Sequence, residues 1–176
     1  MKNKMMIAML AIGSTLATTH AFAAAGTVNF NGNILDSACD VDVASQNQVV
    51  VLGDYYKTEF PTTGARTAAT QFNIVLKNCP VTVTRAKVRF DGTPDATNAS
   101  LLAIDSSAAG AATGVAINLM TADKADLPLH GSNSYSYVLN STADNTLSFY
   151  AQYISTAATV TVGPANSVAN FSVIYN

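Results

Sequence analysis

Gly163-Pro164-Ala165-Asn166-Ser167-Val168-Ala169-Asn170-Phe171-Ser172-Val173-Ile174-Tyr175-Asn176 closes the sequence, and its second half alternates. Ala169, Phe171, Val173 and Tyr175 fall on one side; Asn170, Ser172, Ile174 and Asn176 fall on the other. This is the period-two pattern of a half-buried strand. No later residues are there to pair with it, and an uncovered strand edge invites pairing with another chain. The expectation is that something other than a following strand covers this element.

The 176 residues suffice for one domain with a substantial core. Only 11% are charged, 49% are hydrophobic and Trp is absent, a balance that favours an exported all-β module over a helical cytosolic enzyme.

The first residues read as a targeting segment. Lys2 and Lys4 precede an apolar run from Met5 to Leu16, and Ala21-Phe22-Ala23 places small residues where a signal peptidase cuts. Cleavage is expected after Ala23, so residues 1–23 form the leader. The run is too short for a membrane span, and no later segment is long enough. Removing the leader takes Lys2 and Lys4 from nine basic residues and nothing from eleven acidic ones, leaving a formal charge of −4. That balance gives nucleic acid no basic surface to bind.

Export makes the cysteines legible. Cys39 and Cys79 are the only two, and an even count in an oxidising compartment is most simply one disulfide. A metal site is the rival reading. The absence of CxxC spacing and the single mature-chain histidine, His130, give it little support.

Working back from the C-terminus, short alternating runs recur. Gly26 to Leu35 sets Val28, Phe30, Gly32 and Ile34 on one side against Thr27, Asn29, Asn31 and Asn33, a strand pattern with a notch at Gly32. Val49 to Leu52 reads as a short buried strand, Tyr55 to Thr70 as a long connection, and Gln71 to Cys79 as a strand turning Phe72, Ile74 and Leu76 inward. Val81 to Phe90 is expected to point Thr84, Ala86, Val88 and Phe90 inward and Val83, Arg85, Lys87 and Arg89 outward. The basic row reads as a solvated face rather than an anion site. Further strands are expected at Leu101–Ile104, Val115–Met120, Tyr135–Leu139 and Leu147–Tyr153. Short strands separated by Gly, Asn and Asp turns indicate a β-sandwich.

Chemistry-bearing motifs are missing. There is no GxSxG, no HExxH, no phosphate-binding glycine loop and no cysteine pair at metal spacing. His130, beside Gly131 in a polar loop, reads as a surface residue. No catalytic, metal or cofactor residues are assigned.

In combination, several features resemble the pilin subunits of type 1 fimbriae, the family assembled by the chaperone–usher route. They are the leader, Gly26-Thr-Val-Asn-Phe-Asn-Gly32 ahead of the first cysteine, Phe72-Asn-Ile-Val-Leu-Lys-Asn-Cys79 at the second, and Phe171-Ser-Val-Ile-Tyr175-Asn176 at the end. The family has a glycine fourteen positions from its C-terminus and a penultimate aromatic, here Gly163 and Tyr175.

The resemblance implies an all-β, immunoglobulin-like β-sandwich lacking its last strand (residues 36–176), preceded by an N-terminal donor extension (residues 24–35). Val28, Phe30 and Ile34 would be the knobs and Gly32 the notch. Gly163, Ala169, Phe171, Val173 and Tyr175 would border the acceptor groove, with Cys39 and Cys79 forming the disulfide. The partners implied are a periplasmic chaperone, an outer-membrane usher and other fimbrial subunits, which exchange β-strands. The expected destination is a fimbria on the cell surface that supports adhesion, with the chain acting as rod subunit or minor adaptor. A different reading is a self-contained, secreted carbohydrate-binding module using Tyr135, Tyr137, Tyr150 and Tyr153 as a sugar platform.

Overall fold

The computed structural model describes residues 26–32, 34, 38–131 and 135–175; the expected leader, residues 1–23, lies outside them. Met1–Ile34 and Leu35–Asn176 are separate units. Within the second lie β1 (Asp40–Val41), α1 (Val43–Gln46), β2 (Thr70–Lys77), β3 (Arg85–Gly92), β4 (Leu102–Ala103), β5 (Val115–Met120), β6 (Tyr137–Val138), β7 (Asn145–Ser155) and β8 (Ala169–Tyr175). One sheet has the order β1-β2-β7-β5-β4 and the other β6-β3-β8. Every pairing is antiparallel, and the architecture is an immunoglobulin-like sandwich.

Alternation in sequence becomes the inner faces of the two sheets. On β2, Ile74 and Leu76 are fully buried. Phe72 and Ile74 sit directly opposite Phe149 and Leu147 of β7, and such cross-strand pairs stabilise a sheet face. From β3, Ala86, Val88 and Phe90 point into the same core. Phe90 meets Phe149 edge-on at 5.3 Å and Phe72 at 5.9 Å, so the aromatic rings bridge the two sheets.

Local chemistry sets the strand ends. β2 stops where Asn78 takes a left-handed conformation (φ 51°) and Pro80 follows Cys79. Cys39 and Cys79 are joined by a disulfide with Cα atoms 4.2 Å apart, tying the start of β1 to the end of β2. The Asp42 carboxylate caps α1 by accepting from the Ala44 amide at 3.0 Å.

Three expectations are corrected. The strand expected from Val81 begins only at Arg85. A turn closed by Val83 N–H donating to the Pro80 carbonyl at 3.0 Å buries Val83 and leaves Thr84 exposed, the reverse of the alternation. Val49–Leu52 forms no strand, and Val49 and Val51 are exposed, because among the described residues no ladder partner lies alongside. Among the described residues of Gly26–Ile34 there is no strand either. Alternation marks a segment able to pair, and pairing needs a neighbour.

Tyr137 packs on Phe149 at 5.3 Å, and its hydroxyl donates to the Ser148 carbonyl at 2.6 Å. Burial pushes its phenol well above the ordinary value. Tyr137→Phe keeps the ring and removes the bond. It is expected to cost about 1 to 2 kcal/mol, lowering a urea midpoint by roughly 0.5 to 1 M. An unchanged midpoint would show that the hydroxyl contributes nothing.

Candidate functional site

β8 is the edge of its sheet. Seven residue pairs, from Ala86–Tyr175 to Gly92–Ala169, join it to β3, and among the described residues its other edge has no strand partner. Ala169, Phe171, Val173 and Tyr175 are half-buried and pack on the core, while Asn170, Ser172 and Ile174 face outward.

Beside that free edge lies a groove of about 870 Å³. One wall is the segment from Ser45 to Tyr55, and the other runs from Val160 to Phe171. Phe72, Phe90, Leu102, Ile117, Leu119 and Ala151 form the floor, and all but the half-buried Phe72 are buried in the main core. Val49 stands 89% exposed on one wall and Val168 81% on the other. Apolar side chains held at a groove mouth mark a surface built for a partner.

Tyrosine hydroxyls tie down the backbone around the groove. At one end Phe60, Ala112 and Val115 form a small core with Tyr55, Tyr153 and Ala165 packed on it. The Tyr153 hydroxyl donates to the Ala165 carbonyl at 2.9 Å, and Tyr55 meets the Tyr153 ring edge-on at 6.1 Å. Farther along β8, past the lining residues, the Tyr175 hydroxyl donates to the Cys39 carbonyl at 3.3 Å, next to the disulfide; Val173 and Tyr175, expected to border the groove, do not line it. Burial pushes both phenols above their ordinary value.

Gly163 lies in the wall at the Tyr153 end with φ +150°. A Cβ there would collide with the Gly110 carbonyl oxygen and come within 2.8 Å of Ala111 C and Ala112 N. This close approach holds the wall in place. Ala112 N–H donates to the Pro164 carbonyl at 2.9 Å, Asp105 N–H to the Asn166 carbonyl at 2.7 Å, and Thr113 N–H to Thr161 Oγ1 at 2.9 Å.

The N-terminal unit, taken by itself, leaves its apolar side chains in solvent. Phe30 is 92% exposed, Val28 and Ile34 are exposed as well, and the Cβ position of Gly32 faces open space. Val28, Phe30 and Ile34, on the same parity with Gly32 between the last two, leave large apolar surface in water.

Other candidates come apart. The four tyrosines proposed as a sugar platform do not share a face. Tyr137 is in the core against Phe149, Tyr135 packs on Tyr137, Tyr153 is in the groove end, and Tyr150 lies on the outer sheet face under the Lys124 ammonium. Within the basic row, Arg89 is bound to Asp91 at 2.7 Å, with His130 Nδ1 at 2.8 Å from the same carboxylate oxygen. Arg89 holds that carboxyl below its usual range, and His130 adds to the effect. Among the described residues no three His, Cys, Asp or Glu side chains converge as a metal site would require.

Of the groove lining, the sequence pointed to Gly163, Ala169 and Phe171, but not to the opposite wall, Ser45 to Tyr55, or to the floor. Leu102, Ile117 and Leu119 fall within expected strands, but that they underlie an open groove depends on which strand stands at the sheet edge.

Known proteins are similar to this chain in sequence and fold. The family model for fimbrial proteins matches residues 28–176. The type-1 fimbrial protein A chain of Escherichia coli strain K12 is 38% identical over 182 residues, covering 99% of this chain and all of the relative. A chain from the structure of a chaperone–usher pilus superposes with a TM-score of 0.66 at 26% identity, covering 93% of this chain and 100% of that one. The P pilus rod subunit PapA shares the fold, with a TM-score of 0.67 at 23% identity over 80% of this chain and 100% of that one. With 38% identity end to end and a family match spanning the whole sandwich, the chain belongs to the fimbrial protein family and is a structural subunit of a pilus.

Proposed function

We propose that this subunit polymerises head to tail by strand donation. After removal of residues 1–23, the extension 24–35 of one copy, or of a sister subunit, enters the groove of the next, whose sandwich spans residues 36–176. Val28, Phe30 and Ile34 settle onto the groove floor, and Gly32 passes a narrow point. The observation that carries this reading is the free edge of β8 beside an apolar groove, in a chain whose own extension has the alternation of a strand. Adding an extended segment to an exposed sheet edge is a general recognition mode.

Burying the three knobs contributes roughly 5 to 9 kcal/mol, and each ladder hydrogen bond adds about 1 kcal/mol net. Ordering the extension at about 1 to 2 kcal/mol per residue offsets part of this. Donor and acceptor are different surfaces, so the contact is heterologous and propagates as a filament. During export a periplasmic chaperone lends the missing strand and an outer-membrane usher exchanges it. The product is a non-enzymatic fimbria on the cell surface that supports adhesion.

The test uses surface filaments and a peptide of residues 24–35. Phe30→Ala is expected to weaken the joint by about 2 kcal/mol, roughly thirtyfold in occupancy, and Gly32→Leu is expected to abolish filaments. The peptide should raise the urea midpoint of a chain lacking its extension, because it binds only the folded state. Normal filaments from Gly32→Leu, together with a midpoint unmoved by the peptide, would overturn the reading.

A further inference from the structure

We propose that Asn31 is a self-modification site whose deamidation disables subunits that have not assembled. The disabling part rests on the strand-donation reading above; the chemistry does not.

Asn31-Gly32 is the only Asn-Gly pair in the sequence. Both residues are exposed, and nothing lies within 4 Å of the Gly32 Cβ position. The Asn31 side chain makes no hydrogen bond to another described residue. By contrast, the Asn140 amide oxygen is held by Thr142 N–H and Oγ1, both at 2.8 Å, and that of Asn98 by the Ser100 amide at 3.1 Å. Glycine after asparagine leaves the attacking nitrogen unshielded and its backbone free to reach the required angle.

In the reaction the Gly32 backbone nitrogen loses its proton and attacks Asn31 Cγ. The Cγ–Nδ2 bond breaks, Nδ2 leaves as ammonia, and a five-membered succinimide forms. Water then opens the ring at either carbonyl, giving aspartate or isoaspartate. No oxidant or enzyme takes part, and the need to deprotonate an amide makes the step faster as pH rises.

Both products change the extension. Each places a carboxylate where a neutral amide stood. Isoaspartate also routes the backbone through Cγ, adding one main-chain atom between the Val28–Phe30 half and the Gly32–Ile34 half. Period-two side chains that must seat together are then out of step. Within a strand the reaction is suppressed, because an extended ψ of about +135° turns the Gly32 nitrogen away from Cγ. An assembled copy is thus protected, and a stray monomer loses its competence to donate.

The experiment compares the purified mature chain, as monomer, with filaments sheared from cells. Both are incubated at neutral and alkaline pH and mapped by proteolysis and mass spectrometry, with isoaspartate detected by enzymatic methylation. In the monomer Asn31 should convert about tenfold faster than Asn98 or Asn166, equivalent to about 1.4 kcal/mol in barrier. Conversion should quicken with pH, and Gly32→Ala should slow it by a similar factor. Filaments should spare Asn31, and converted monomers should enter filaments about tenfold less often than unconverted ones. A monomer rate at Asn31 no higher than at Asn98 would overturn the site. Equal conversion in monomer and filament would leave the site standing and remove residues 28–34 from the groove. Converted chains that polymerise normally would overturn the disabling role.

Discussion

A Gly163→Ala chain is expected to lose about 3 to 5 kcal/mol of stability, combining a steric clash with a backbone angle unfavourable to a side chain. The methyl group would meet main-chain atoms of Gly110, Ala111 and Ala112, which cannot rotate aside as a flexible side chain could. Relief requires residues 161–166 to part from residues 105–113, breaking the Ala112–Pro164 and Asp105–Asn166 hydrogen bonds. With a urea slope of about 2 kcal/mol/M, the midpoint should fall by roughly 2 M. Gly64→Ala is the control. It too has positive φ, +87°, but open space around its Cβ position, so about 1 to 2 kcal/mol is expected. Equal losses at the two sites would show that the Gly163 contact yields.

Removing the disulfide should be comparably costly. Cys39 and Cys79 are 40 residues apart, and cross-linking a loop of that length destabilises the unfolded chain by about 4 kcal/mol on the entropy model. The double variant Cys39→Ser, Cys79→Ser should unfold at roughly 2 M less urea than the oxidised chain. Wild type treated with reductant should fall to the same midpoint, and reductant should leave the variant unmoved. A variant as stable as the oxidised protein would show that β1 and β2 hold together without the bridge.

Much of the sandwich was legible because burial on one face leaves a trace in the sequence. β8 begins at Ala169 and β5 spans Val115–Met120, both at the expected bounds. Ile74 and Leu76 point inward as their alternation requires. Where the sequence misled, long-range facts decided. Val49-Val50-Val51-Leu52 has the composition of a buried strand, yet it serves as a groove wall because among the described residues no strand pairs with it. Val83 and Thr84 exchanged places because a turn at Pro80 reset the phase. Gly163 was legible by position alone; its physical reason lies some fifty residues away in sequence, in the backbone at Gly110.

The bond from the Tyr175 hydroxyl to the Cys39 carbonyl carries a mechanical consequence. For a subunit linked as proposed, tension arrives through the leading segment at Cys39 and departs along β8. Tyr175 joins those two points directly, and the disulfide anchors the first of them to β2. A pull on the fibre then runs along one flank of the molecule, loading the β8 ladder in shear, while the remaining strands of the larger sheet carry little of the force.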